Sequence, residues 1–254
     1  MTKQTYTLFL KARDNFKKIC TDTEKKIPEL RSYQQKLVDA RGLSPYKVET
    51  AVVYNSSLDA IKKTDDIKLL LVADNPGRKE QSAEMRSYLV GPSGKIADNF
   101  FKSEESLGIN FRKNVIILNK TPIHTPRTAL LRPLCTIAGE GFSQVLESTQ
   151  KEMVKLLLEF YQVFKTPIWI IGYSEMKRNG IFELYTRELY TLVSHNLIDK
   201  NDVFFFRHFS MNQFTIDLHQ RSLSGESVEA ALKRIGAMYR DKIFDMIGKG
   251  SKRE

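Results

Sequence analysis

Residues Lys68–Gly94, KLLLVADNPGRKEQSAEMRSYLVGPSG, decide how the rest of the chain is read. Leu69-Leu70-Leu71-Val72 is a short apolar run that breaks at Ala73-Asp74-Asn75-Pro76-Gly77. Such a run, without polar alternation and closed by turn residues, predicts a strand buried on both faces, as in a parallel sheet. Ligands of such sheets bind beyond the carboxyl ends of the strands, so Asp74, Asn75 and Gly77 stand where a site is expected. Asn, Pro and Gly are also the ordinary residues of a strand-to-loop turn. The other strands decide between the two readings.

Three further apolar runs follow at wide spacing: Val115–Asn119, Ile168–Gly172 and Val203–His208. Helical patterns separate them. Ile96, Phe100 and Phe101 follow Gly94, Val145–Phe164 is strongly amphipathic, Ile181–Val193 is another helix, and Ser227–Ile247 closes the chain. Strands alternating with helices predict an α/β domain over residues 65–254, a three-layer α-β-α sandwich around a mainly parallel four-stranded sheet. Residues 1–64 form an N-terminal helical extension packed on it. Tyr6, Phe9, Ala12, Phe16 and Ile19 make one helical stripe, and Ile27, Leu30, Tyr33 and Leu37 a second, closed by Gly42. Ala51–Tyr54 fits a short strand or a buried helical turn.

Composition narrows the class. At 254 residues the chain is long enough to bury a full core without disulfide or metal staples. No apolar stretch approaches a membrane span, and the N-terminal segment lacks the apolar core and cleavage site of a signal peptide, which predicts a cytoplasmic protein. Cys20 and Cys135 match neither a disulfide framework nor a zinc pattern. The net charge of +10 fits a nucleic-acid partner or a merely basic surface, with small clusters at Lys17-Lys18, Lys25-Lys26, Lys62-Lys63 and Lys249–Arg253.

Each predicted strand ends in polar residues: Asp74-Asn75-Pro76-Gly77, Asn119-Lys120-Thr121-Pro122, Gly172-Tyr173-Ser174 and Arg207-His208-Phe209-Ser210. In a parallel sheet these ends share one edge, so Asn75, Asn119 and His208 converge on one crevice. Singly, each has a plain account: a turn cap, a loop backbone partner and a hydrogen-bonded core histidine.

In that order the residues resemble the uracil-DNA glycosylase superfamily over about residues 65–220. Ala73-Asp74-Asn75-Pro76-Gly77 resembles the first active-site motif, in the Asn-Pro-Gly form of the mismatch-specific and single-strand-selective branches. Tyr88-Leu89-Val90-Gly91-Pro92-Ser93-Gly94 resembles the Phe-Val-Gly-x-x-Gly stretch of the thermostable iron–sulfur branch. Val115–Asn119 resembles the strand ending in the base-reading asparagine, and His208-Phe209-Ser210 the closing His-Pro-Ser motif. The resemblance implies a DNA-base N-glycosylase with water as nucleophile, without metal or cofactor, acting as a monomer on DNA. Asn75 would position or polarise the water, and the Asp74 backbone would help form the base pocket. Asn119 would read the Watson–Crick edge of a flipped base, and His208 would donate to the base O2. Tyr88 or Leu89 would pack on the base face, with Gly77 and Ser210 in the same pocket. Ser93, Lys95, Lys120 and Arg127 would contact DNA, with Arg132, Arg207 and Arg221 near the same loops. Met211 or Phe214, in the loop after the histidine, would be the wedge that fills the gap in the duplex, unless both are core residues.

The departures are specific. Asn75 is no general base, which leaves Asp74 or Glu80 to supply a carboxylate. Gly77 replaces the tyrosine with which the classical branch blocks thymine, Leu89 replaces a stacking aromatic, and Phe209 replaces proline. The four cysteines of the iron–sulfur branch are absent, so no cluster is expected. A catalytically weak binder of DNA or of a modified base on the same fold is the alternative, and hydrolysis of a free nucleoside or nucleotide is a third. Gly91-Pro92-Ser93-Gly94-Lys95 has two residues, not four, before its Gly-Lys and is not a Walker loop.

Overall fold

The computed structural model describes residues 1–40 and 44–248, so Gly42 and the basic tail Lys249–Arg253 lie outside the described residues. Four strands, β1 (Leu69–Ala73), β2 (Val115–Asn119), β3 (Ile168–Ile171) and β4 (Val203–Phe206), form one sheet in the order β2-β1-β3-β4. Every pairing is parallel, and every strand residue is buried. The continuous Leu/Ile/Val/Phe runs follow from that burial, because a strand covered on both faces has no solvent side to make polar.

Among the described residues eight α-helices surround the sheet: α1 (Lys3–Lys26), α2 (Leu30–Ala40), α3 (Pro92–Ser103), α4 (Leu131–Ala138), α5 (Glu140–Phe164), α6 (Glu183–Ser194), α7 (Gln213–Arg221) and α8 (Val228–Gly248). Trp169 and Phe206 meet Phe101 of α3 and Phe214 of α7 in one aromatic layer, with ring centroids 5.0–5.8 Å apart. A second helical group stacks α1 on α5 and α5 on α6. The arrangement is a three-layer α/β/α sandwich. No helix among the described residues is long and apolar enough to cross a membrane.

The N-terminal helices share the core of the sheet. Phe9 packs against Phe160 and Phe164 of α5, and Phe16 against Tyr54 and Tyr88. Val52, in the stretch that fitted either a strand or a helical turn, forms an isolated antiparallel bridge to Ile123. Two helices escaped the sequence pattern. The eight-residue α4 is too short to display a period, and α7 begins inside the stretch predicted as a loop.

Helix α8 lies close along the edge strand because Gly236 faces it. A Cβ there would stand 2.6 Å from Phe204 Cβ and 2.7 Å from Phe206 Cζ. Gly236→Val forces the helix off β4, and overpacking of this kind costs about 1–3 kcal/mol. Urea unfolding of the variant checks the loss.

Candidate functional site

The register brings the strand ends level. Ala73 is opposite Asn119, and Ile171 is opposite Phe206. β1 lies between β2 and β3, so the chain order changes direction across β1, and a crevice opens at the carboxyl ends there. A cavity of about 860 Å³ occupies it, walled by residues from all four strand ends, among them Asp74, Asn75, Asn119, Tyr173 and His208.

Its floor is a buried ion pair. Lys120 has no exposed surface, and its Nζ donates to Asp74 Oδ1 at 2.5 Å and to the Ile171 carbonyl at 2.6 Å. Burial lowers the Lys120 pKa, and the Asp74 carboxylate opposes that shift. Asp74 also accepts from Thr128 Oγ1 at 3.1 Å. Gly172 is required beneath it: φ is +80°, and a Cβ would stand 2.7 Å from Asp74 Oδ1. Lys120 was expected to contact DNA, and the structure corrects this. The residue after β2 turns inward across the ends of β1 and β3, so its charge belongs to the floor.

Asn75 is partly buried. Its Nδ2 donates to Thr125 Oγ1 at 2.9 Å, which leaves Oδ1 as the free acceptor of the amide. Thr125 Oγ1 donates in turn to the Arg127 carbonyl at 3.0 Å. Behind the turn, His124 Nδ1 bonds the Pro76 carbonyl at 2.8 Å and Nε2 bonds Tyr46 Oη at 2.8 Å. Gln34 Nε2 donates to the carbonyls of Ala51 and His124. The first motif is thus braced by the N-terminal segment. Nothing in the sequence spacing marks His124, Tyr46, Thr125 or Thr128, because each acts through a fold contact and none sits in a repeat or at a strand end.

Among the described residues three buried side-chain polar atoms lack a partner: Gln34 Oε1, Thr166 Oγ1 and Asn119 Nδ2. Of these three residues only Asn119 lines the cavity. Its Nδ2 is turned toward the buried Tyr88 hydroxyl, so this atom holds the amide in the wall and is not the one that faces the cavity. His208 supplies a donor. Its Nδ1 accepts the Ser210 N–H at 3.0 Å, so in the neutral ring the proton resides on Nε2. Burial, chiefly, holds its pKa below the usual histidine value. Asp74 opposes that shift and Lys120 reinforces it.

Some of the residues singled out in the sequence line the cavity and others do not. Leu89, Gly77, Ser93, Arg127, Ser210 and Met211 line the cavity. A Cβ at Gly77 would have nothing within 4 Å, so the wall is open there. Met211 is 80% exposed at the rim in a left-handed conformation. Lys95 is exposed in the first turns of α3.

Tyr88, expected on the face of a base, does not line the cavity. It is 1% exposed, donates from Oη to the Val53 carbonyl at 2.6 Å and packs on Phe16. The left-handed residue that follows, Leu89, reverses the chain and presents itself to the cavity instead. Phe214 is not a wedge. It is 2% exposed and stacks on Phe209 at 4.4 Å, inside the aromatic layer. Phe209, in place of proline, is the buried anchor of the turn that carries His208. Of the two candidate carboxylates, Asp74 is committed to Lys120. Glu80 is buried in the wall, accepting from the N–H groups of Gly77 and Leu89.

No family model matches the chain, and no curated protein matches it.

Two outcomes test this geometry. Lys120→Met leaves Asp74 unpaired at the sheet edge, and breaking a buried pair costs about 3–5 kcal/mol, read by urea unfolding at neutral pH. His124 is held down to about 4 by burial, against an ordinary value of 6.5. The unfolded chain therefore binds the extra proton between those values. The His124 contribution is complete above 6.5 and falls as pH drops toward 4, a loss on the order of 3 kcal/mol. An NMR titration of the imidazole carbons checks the midpoint.

Proposed function

We propose that the chain is a DNA-base N-glycosylase that removes uracil or a related damaged base by water attack on the N-glycosidic bond. The observation that carries this reading is the meeting of an amide and a neutral imidazole in one cavity. Asn119 and His208 both line it, and His208 is neutral with its free N–H on Nε2. An amide offers a donor and an acceptor side by side, which complements the O4 and N3–H of uracil. A neutral imidazole N–H suits an oxygen on which negative charge grows as the bond breaks. A placed donor of that kind is worth about 3 kcal/mol in the transition state.

Asn75 Oδ1 would orient the water, and Leu89 would pack on the base. The base must first leave the stack at a cost of a few kcal/mol. Exposed Met211 at the rim would occupy its place in the duplex, and Ser93, Lys95 and Arg127 would hold the phosphates beside it. The open wall at Gly77 leaves room next to a pyrimidine ring, so the pocket would not be confined to uracil.

One observation favours a second reading, a binder of DNA or of a modified base with little catalysis. The Asp74 carboxylate is consumed by Lys120, and the neighbouring residue is an amide. Neither removes a proton from water at neutral pH.

A uracil-containing oligonucleotide incubated with the protein and treated with alkali is expected to break at the uracil. His208→Ala is expected to slow release about 100-fold. An unchanged rate removes His208 from this role. Tight, salt-dependent binding without release from U·G, U·A, single-stranded or hypoxanthine substrates decides for the binder.

A further inference from the structure

Glu80 is a buried carboxylate in the cavity wall, and it touches two segments of that wall. Oε2 accepts the Gly77 N–H at 2.9 Å and Oε1 the Leu89 N–H at 2.8 Å. The first belongs to the turn that carries Asn75, the second to the segment that enters α3, and both line the cavity. Leu89 is held from its other end as well, because Arg112 Nη2 donates to its carbonyl at 2.7 Å. Gly94 admits that carbonyl at very close range: a Cβ there would stand 1.5 Å from Leu89 O. Leu89 itself adopts φ +50°, a conformation that a leucine keeps only when its surroundings over-determine it.

We propose that Glu80 is a positioning residue, whose carboxylate ties the Asn75–Gly77 turn to Leu89 and so sets the width of the base cavity. This rests on the reading of the cavity as a base pocket. Asn75, Gly77 and Leu89 all line the cavity. A carboxylate bridging the Gly77 and Leu89 N–H groups fixes their separation with two charge-assisted hydrogen bonds.

The tie depends on ionisation. The charged and titratable groups that act on Glu80 are Arg112 from the turn before β2 and Tyr88 beside it, while Asp74, Arg127, Tyr173, Arg207 and His208 line the same cavity. Burial pushes the Glu80 carboxyl up to about 7 from 4.5, against the two backbone N–H donors and Arg112. When the carboxyl takes a proton, the new O–H displaces one backbone donor, and one of the two ties opens. Global stability moves the other way. Because the folded value is raised, the Glu80 contribution is complete below 4.5 and is lost as pH rises through 7. Opposite signs for cavity order and global stability separate positioning from a merely structural role.

The test is an amide titration of ¹⁵N-labelled protein together with steady-state kinetics on a uracil-containing oligonucleotide. The Gly77 and Leu89 amide resonances are expected to move together with one midpoint near 7, and E80Q is expected to abolish that transition. In the kinetics, E80Q is expected to raise KM about 10-fold with kcat changed by less than about 3-fold, the loss that follows from one weakened hydrogen bond to a charged group. Amides that titrate separately or not at all overturn the proposal, as does a fall in kcat at constant KM. If E80Q does not fold, the wild-type titration decides alone. If no base is released from any substrate, the glycosylase reading fails while the amide titration still decides the tie.

Discussion

The ion pair between Lys120 and Asp74 is the constraint on which the site depends. It joins three of the four strands: the lysine follows β2, the aspartate follows β1, and the second acceptor of Nζ is the last residue of β3. A charge taken out of water is costly, and one that persists must be paired and hydrogen-bonded. Here the lysine donates to two acceptors, and the carboxylate gains a second partner in Thr128. The pair consequently specifies how the strand ends align, to within the length of a hydrogen bond. Gly172 completes the arrangement by leaving room for the carboxylate. The chemistry above this floor then comes from neutral groups, the Asn75 and Asn119 amides and an imidazole that burial keeps uncharged.

That division has a mechanistic consequence. A cavity with neutral donors favours a ligand that gains negative charge, because the donors are already oriented and need no reorganisation. Nucleophile activation is less well provided for, since the carboxylate nearest the turn is spent on structure. The arrangement therefore supports departure of an anionic leaving group more strongly than it supports deprotonation of water. In the proposed reaction, bond cleavage that runs ahead of water attack would require only a positioned water, and the free Oδ1 of Asn75 is an acceptor suited to that.

Much of this was legible in the sequence, because strand burial and chain order are local properties. The strands β1 and β2 fall where their apolar runs do, and the level ends of a parallel sheet were enough to bring Asn75, Asn119 and His208 to one cavity. What the pattern lacked was side-chain direction. Lys120, Tyr88 and Phe214 lie within three residues of positions that do line the cavity, yet each turns into the interior. For Tyr88 and Phe214 the reversals come from left-handed residues, Leu89, Met211 and Asn212, none of them glycine. A residue type that rarely adopts such backbone gives no warning in the sequence.

The N-terminal helices belong to the same argument. Read alone they are an extension, since their stripes are complete before the first strand begins. In the fold, Gln34 of α2 fixes the Ala51 and His124 carbonyls, and Tyr46 fixes the ring that holds Pro76. Glu49 and Thr50 donate their N–H groups to Gln81, at the far side of the same loop. The turn carrying Asn75 is thus gripped from behind through Gln34, Tyr46, Glu49 and Thr50 and from below by the ion pair. The Asn75 amide is therefore placed by contacts far from it in sequence. Gln34, Tyr46, Glu49 and Thr50 act on the site through rigidity, and their hydrogen bonds are as much a part of its geometry as the strand ends themselves.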